Sequence, residues 1–511
     1  MSRGWPVRGL LRATEMPLAA LLSGASLAAA SAPLPLGPLA FVALVPLLRE
    51  AVRRPAYGRA LRDGFLAGLV FFGLAFGWAF QSTVGGGLAL PLAYALAIPL
   101  LASSVALFTL AVTWLARGSP LLALAAAPGL WVGVEYARAQ EWLLAVPWNQ
   151  LGYALADTPF LAQGASLAGL YGLSFWVVAV NAGLVALPRL APGPRLALAA
   201  ALALPLPLGF GAFGEAPRED VLRLAAVQPA LEERERHVPA RLGANLRRLL
   251  DLSEPLLAEG AELIAWPESA WERALGAGGD AFLAAIAHDF ETPLVTGAWQ
   301  LPAPGRASWR NAAVLATADG RTPIVAEKVH PVPVYERAPD GPLALALARA
   351  GLWSGRFGRG DARAPLVLAR GGAAPAALGV LVCIDASHPE LARALRVAGA
   401  RLLVALANEA GSGAWSAAVH ARVVRLRAIE NRMPVVRVAN TGPTLWIDAR
   451  GRVAAELAAG APAAAVHALA LAGPLSPFAR VGDAAVVAAL VSSALASVAA
   501  RVLQNRERGD S

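Results

Sequence analysis

Eight long apolar runs separated by short arginine-bearing connections constrain this chain more than any other feature. Seven precede residue 215, at roughly 14–32, 34–49, 64–81, 88–116, 120–136, 166–188 and 194–214, and an eighth spans roughly 483–503. A helix advances about 1.5 Å per residue, so about 20 apolar residues cross the hydrocarbon of a bilayer. Arg3, Arg8 and Arg12 precede the first run, and Arg49, Arg53, Arg54, Arg59 and Arg62 follow the second. Arg117 follows the fourth, Arg189 and Arg195 the sixth, and Arg501, Arg506 and Arg508 the eighth. If every run crosses once, all these clusters fall on one side, which the positive-inside rule makes cytoplasmic. The expected organisation is a bundle of about seven transmembrane helices over 1–214, an extracytoplasmic domain over 215–475, and a last membrane helix with a cytoplasmic tail over 476–511. The first run is read as a retained helix, because a second follows almost at once, across Pro33, Pro35 and Pro38.

Composition agrees with two solvents. Hydrophobic residues make up 57% of the chain and charged ones 15%, against roughly 45–50% apolar in soluble proteins. The net charge of +9 resides largely in the arginine clusters just described, so topology accounts for it and a nucleic-acid partner is not expected. The runs carry few ionisable residues at their centres, which argues against a transporter. The stretch 137–165, with Trp142, Pro147, Trp148, Asn149, Gln150, Tyr153 and Gln163, suits either the headgroup level of the outer face or a plain loop. Glu135 and Arg138, at the outer end of a run, either pair with each other or meet a headgroup.

From residue 222 short apolar runs alternate with longer amphipathic ones. Strands are expected at 222–228, 263–269, 293–300, 311–318, 377–385, 401–408 and 434–442, helices at 236–259, 388–399 and 415–432, and a hairpin over 444–457 turning at Arg450-Gly451. That alternation is an α/β pattern. The chain has one cysteine, Cys383, so no intramolecular disulfide forms. It also has one lysine, Lys328, among 44 basic residues. Arginine keeps its proton whereas lysine can give it up, so a solitary lysine is a candidate for specific chemistry.

Glu268, Lys328 and Cys383 each sit at the end of an expected strand, and in open α/β sheets such ends share a crevice. A carboxylate there takes the thiol proton, the thiolate attacks a carbonyl, and the ammonium stabilises the oxyanion. A cation beside the thiol is expected to lower its pKa and make thiolate available near neutral pH. His330 and His388 lack metal-ligand spacing and no glycine-rich phosphate loop occurs, so neither metal nor cofactor is expected. Trp415 and His420 open a helix and pack either against the site or in the core.

The pieces WPES around Glu268, EKxHxVPxxE from Glu327 to Glu336, and a strand ending in Cys383 resemble the nitrilase superfamily. A domain of this type between seven helices and one further helix resembles, more narrowly, the apolipoprotein N-acyltransferase family. Trp131, Glu135, Arg138, PWNQLGY (147–153), Gln163, GLYGLSF (169–175), VRVANTGPT (436–444) and SPFARVGD (476–483) carry that likeness over nearly the whole chain. The resemblance implies a helical polytopic membrane bundle plus an α-β-β-α sandwich. It implies that Cys383 takes an acyl chain from a phospholipid and passes it to the N-terminal amine of a diacylglyceryl apolipoprotein. Glu268 would be the base and then the acid, with Lys328 and the backbone amide of Ile384 on the oxyanion. Glu336 would orient the lysine or assist proton transfer. Trp148, Tyr153, Ile384, Asn408 and Trp415 become candidates for contact with substrate, and a monomer suffices.

The likeness has departures. Ile384 and Asp385 stand where the family usually has Tyr and Glu, Tyr335 where it has Gly, and residues 408–412 lack the aromatics of its Asn-Asp-Ala-Trp-Phe loop. Asp385 is closer to soluble nitrilases. Three alternatives stay open: a membrane-anchored amidase, a paralogue with another acceptor, and a non-enzymatic scaffold.

Overall fold

A computed structural model describes residues 17–509 apart from 81–88, 141–145, 207–219, 305–307, 333–335, 338–348, 350–356, 362–363 and the single positions 237, 277 and 322. Tyr335 and the first arginine cluster therefore lie outside the described residues. The N-terminal region is helical: α1 (Leu18–Ser31), α2 (Val45–Arg53), α3 (Tyr57–Ala75), α4 (Ala89–Ala116), α5 (Pro120–Ala139), α6 (Ala165–Ala186) and α7 (Pro192–Ala203). Four stretches among the described residues are long and apolar enough to cross a membrane: Tyr94–Ala116, Pro120–Ala139, Ala165–Arg189 and Ala484–Val502. They form a membrane bundle.

The second apolar run is not one helix. It breaks into a turn at Gly37–Leu39, a helical turn at Ala40–Ala43, and α2. Pro38 and Pro46 lack the amide that a continuing helix needs, and broken backbone in hydrocarbon must find partners in neighbouring helices. Asn181 of α6 supplies them: its Oδ1 accepts from the Leu44 amide at 2.8 Å and its Nδ2 donates to the Ala40 carbonyl at 2.8 Å. Ser23 Oγ accepts from the Leu47 amide at 3.2 Å. Close packing elsewhere uses small residues. A Cβ on Gly129 of α5 would lie 2.0 Å from the Ala489 carbonyl oxygen of the last helix.

The second domain is built on two sheets. One runs β13-β1-β2-β4-β5-β6, with β3 beside β4, and the other β12-β11-β10-β9-β8-β7. The strands are β1 (Val221–Gln228), β2 (Leu263–Ala265), β3 (Trp271–Leu275), β4 (Leu294–Gln300), β5 (Arg310–Ala316), β6 (Ile324–Glu327), β7 (Leu366–Arg370), β8 (Ala373–Val382), β9 (Leu402–Ala407), β10 (Val435–Ala439), β11 (Thr444–Ile447), β12 (Val453–Leu457) and β13 (Ala463–Ala470). Leu224, Val295 and Leu315 of the first sheet pack against Leu378, Val404 and Val438 of the second to form the central core. Helices α8 (Leu242–Ala258) and α9 (Gly279–Asp289) cover the outer face of the first sheet. Helices α10 (Pro389–Val397) and α11 (Gly413–Asn431) cover the other. This is the four-layer α-β-β-α sandwich, followed by α12 (Ala484–Gly509). Several expected strands end early, among them β2, which stops before Pro267, a residue that cannot donate to a ladder, and β8, which stops before Cys383.

The α10–α11 layer is itself buried on its far side, because the bundle packs there. Arg422 of α11 donates to the carbonyl of Ser31, which ends α1, and to that of Leu34 just beyond it. Arg425 pairs with Asp157 at 2.9 Å. Arg432 donates to Gln163 Oε1 at 2.6 Å and Ser166 Oγ at 3.0 Å. Gly169 adopts φ 68° inside α6, a left-handed conformation open to glycine. The Leu170 amide next to this kink donates to Glu430 Oε1 at 2.8 Å. The stretch 146–156 is thus neither an exposed loop nor a surface segment but a mostly buried plug between α5 and α11. Glu135 and Arg138 both hold it. Glu135 Oε1 accepts from the Leu151 amide at 2.7 Å, and Arg138 donates to the carbonyls of Trp148 and Asn149.

Candidate active site

Glu268, Lys328 and Glu336 meet as the sequence suggested. Lys328 Nζ lies 3.1 Å from Glu268 Oε1 and 2.9 Å from Glu336 Oε2, and all three side chains are buried. The local chain explains each position. After Pro267 the backbone folds back over β4, whose Gly297 amide donates to the Pro267 carbonyl at 3.1 Å. A Cβ on Gly297 would come within 2.5 Å of the Glu268 Cα, so only glycine lets the Glu268 turn lie this close. Lys328 follows β6 and its amide donates to the Asn311 carbonyl of β5 at 2.8 Å. Glu336 is held by the Val332 amide, which donates to its Oε2 at 2.6 Å.

Sequence reasoning missed Asn311. Its Nδ2 donates to Glu268 Oε1 at 2.8 Å and to Glu336 Oε1 at 3.0 Å, so one buried amide ties the two carboxylates together. Nothing local marks it within the expected strand 311–318. It emerges only because β5 lies between β4 and β6 in the sheet.

Cys383 comes from the other sheet, on the turn after β8, at φ 54°. A non-glycine residue in the left-handed region is uncommon, and such strain concentrates at functional turns. Asp385 anchors the turn: its carboxylate accepts from the amides of Val329 (3.2 Å), His330 (2.8 Å) and Val382 (3.4 Å). The residue that departs from the family pattern therefore joins the lysine segment to the cysteine turn. The Cys383 carbonyl meets His420 Nε2 at 3.0 Å, and His420 Nδ1 lies 3.1 Å from Glu409 Oε1. Arg437 pairs with the same carboxylate.

The electrostatics correct one expectation. Burial pushes the Cys383 thiol well above its ordinary range and Glu268 adds to this, while Lys328 only partly opposes them. The cation is present, but the carboxylates beside it and the loss of solvent outweigh it. The resting group is the thiol. Burial would by itself lower Lys328, yet Glu268 and Glu336 hold its ammonium well above the usual lysine range. The site has the parts for base-assisted nucleophilic attack: a thiol, carboxylates able to take its proton, and a permanent cation.

The remaining candidates are dispersed. Tyr153 donates to the Ser387 carbonyl at 3.3 Å and accepts from Arg427 at 3.2 Å, and Asn408 Oδ1 accepts from Ala410 and Asn440, so these polar groups already have protein partners. Ile384 is half-buried next to Cys383 and Trp415 is exposed at the start of α11. Trp148 and Tyr153 line a narrow, partly open crevice between bundle and domain, with Gln150, Val419, Arg422 and Val423. There the Trp148 indole nitrogen and both ends of the Gln150 amide have no hydrogen-bond partner. His330, His388 and Glu390, which no spacing grouped, place donor atoms within 4.8 Å of one another.

Two sheets between helix layers, with a thiol on a strained turn facing a lysine–glutamate cluster, define a thiol enzyme of the carbon–nitrogen hydrolase class. Residues 223–473 match the carbon-nitrogen hydrolase family, and residues 23–183 match the apolipoprotein N-acyltransferase N-terminal domain. The apolipoprotein N-acyltransferase of Geobacter metallireducens is 31% identical over 85% of this chain and 86% of its own length. That of Bordetella bronchiseptica is 31% identical over 96% and 97%. A carbon-nitrogen hydrolase of solved structure from Helicobacter pylori is 20% identical, covering 49% of this chain and 89% of its own, with a TM-score of 0.38. The chain belongs to the apolipoprotein N-acyltransferase family. It is a membrane-associated acyltransferase with a carbon–nitrogen hydrolase domain, and its part in biology is lipoprotein acylation.

Proposed function

We propose that the enzyme moves an acyl chain from a phospholipid to the N-terminal amine of a diacylglyceryl apolipoprotein, by way of a Cys383 thioester. The observation that carries this reading is the burial of the α10–α11 layer against the membrane bundle, which sets the Cys383 turn at the junction of the domain and a lipid-soluble scaffold. In the first half-reaction Glu268 takes the thiol proton as sulfur attacks the ester carbonyl. Lys328 and the Ile384 amide neutralise the oxyanion. The carbon–oxygen bond breaks, and Glu268 returns the proton to the departing lysophospholipid. In the second half the amine attacks the thioester carbonyl and loses a proton to Glu268. The carbon–sulfur bond then breaks and the proton restores the thiol. Glu336 and Asn311 hold the charges in place throughout, without cofactor or metal.

The unpartnered Trp148 and Gln150 groups suit the ester and glyceryl oxygens of a lipid entering sideways. An eight-crossing topology with the 215–475 domain extracytoplasmic belongs to the same proposal. Its support is that Arg117 lies over Tyr57 and Arg501 over Trp114, at the end of the bundle remote from Glu135 and the plug. The enzyme works as a monomer on this reading.

The test is intact mass after incubation with phosphatidylethanolamine and no acceptor. A gain of one acyl chain, removed by hydroxylamine and absent in Cys383→Ala, is expected. Folded protein that forms no adduct would overturn the proposal, and release of free acid without an amine acceptor would favour an amidase.

A further inference from the structure

The segment bearing Lys328 leaves the first sheet after β6, and the turn bearing Cys383 leaves the second after β8. Among the described residues, a pair of histidines joins them. His330 and His388 stack face to face, with ring centroids 3.6 Å apart and planes within 5°. Each Nδ1 meets a carboxylate: His330 meets Asp385 Oδ1 at 3.1 Å, and His388 meets Glu390 Oε1 at 3.0 Å. Both rings are largely buried, with side-chain exposures of 13% and 7%. Asp385 also receives the amides of Val329 and His330, so the stack and the carboxylate together lock one backbone to the other.

His330, His388 and Glu390 have donor atoms close enough to suggest a metal ion, but the ring geometry opposes it. Imidazole lone pairs lie in the ring plane. Two parallel planes 3.6 Å apart give lone pairs that do not converge on one ion, and Glu390 already faces His388 Nδ1.

We propose that the His330–His388 stack is a positioning clamp that holds Lys328 against Cys383 while at most one ring carries a proton, and that it releases when both do. Two imidazolium ions in face contact repel strongly in a site shielded from water. Each ring has one carboxylate to offset a first charge but shares its face with the other ring. Burial also pushes His388 down, so release falls on the acid side. The charged and titratable groups that act on His388 include His330, Asp385 and Glu390 of α10, and Asp385 also acts on Lys328. Around Glu390 stand Tyr136, Tyr153 and Tyr171 of the bundle region, Arg427 and Glu430 of α11, and Asp483. The role rests on Lys328 and Cys383 acting as oxyanion cation and nucleophile.

Because Cys383 is the chain's one cysteine, iodoacetamide reads its environment directly in the full-length protein, independently of any lipid. His388→Ala removes the stack, and His388→Phe keeps a flat ring that cannot take a proton. Near pH 7.5, His388→Ala should alkylate about tenfold slower than wild type and His388→Phe within about threefold of it. On lowering the pH to about 5.5, the ratio of His388→Phe to wild type should rise about tenfold, because only wild type can release the clamp. A constant ratio would overturn the proposal, as would wild-type rates in His388→Ala. If His388→Ala does not fold, the His388→Phe ratio alone decides. Alkylation with the expected pattern but no thioester from phospholipid would keep the clamp and reject the proposed function. A thioester without the pattern would do the reverse.

Discussion

Gly297→Ala tests how Glu268 is held. The added Cβ would lie 2.4 Å from the Ser269 nitrogen, 2.5 Å from the Glu268 Cα and 2.8 Å from the Glu268 carbonyl carbon. Ordinary contact begins at 3.4 Å, so the Glu268 Cα is about 0.9 Å too close. These are backbone atoms and cannot rotate aside as a side-chain end would. Either β4 or the turn must move, and β4 is fixed by ladders on both sides, to β2 and to β5. The turn therefore moves, and Glu268 with it, by roughly 1 Å; a shift of that size costs about 100-fold in rate. Overpacking costs about 1–3 kcal/mol of stability, so the variant should stay folded with a lowered Tm. Single-turnover thioester formation, followed by intact mass, is the assay. A Gly297→Ala protein that acylates within about threefold of wild type would refute the reasoning, since it would mean that the turn does not place the carboxylate.

Three further outcomes are expected. Asn311→Leu should slow acylation about 10- to 100-fold, because both carboxylates lose a charge-assisted hydrogen bond; unchanged single-turnover rates would remove Asn311 from the site. Cys383 alkylation should climb about tenfold per pH unit from near 7 to near 9 without levelling. The sign follows from the raised thiol: thiolate is scarce below the folded pKa and accumulates only as pH rises toward it, so a plateau below about pH 7 would reveal a preformed thiolate–lysine pair instead. Glu430→Gln keeps an acceptor for the Leu170 amide but leaves Arg427, 3.2 Å from the carboxylate, buried without its counter-charge. Breaking a buried pair costs about 3–5 kcal/mol, so Tm should drop by several degrees, and an unchanged Tm would show that the junction does not depend on the pair.

Much of this protein was legible along the chain. Bilayer-length apolar runs declare themselves by composition, because hydrocarbon leaves a helix little choice of side chain. The single cysteine and single lysine singled out Cys383 and Lys328 before any contact was known. The strands of the α/β domain followed from apolar runs, although β3, β7 and β13 escaped notice. In β3 charge interrupts the apolar run, as Trp271–Leu275 carries Glu272 and Arg273.

What only the tertiary structure decided depends on neighbours that the chain order hides. Asn311 reaches Glu268 and Glu336 because β5 separates β4 from β6. Asp385 and the two histidines join segments from different sheets. The second apolar run could break because Asn181, far along the chain, supplies the missing backbone partners. The charge state of Cys383 could not be read from the presence of a cation at all. It is a balance between burial, three carboxylates and one ammonium, and burial is a property of the folded chain. Composition and periodicity report which solvent each residue prefers; which residues then share that solvent at 3 Å is settled by strand order and helix docking.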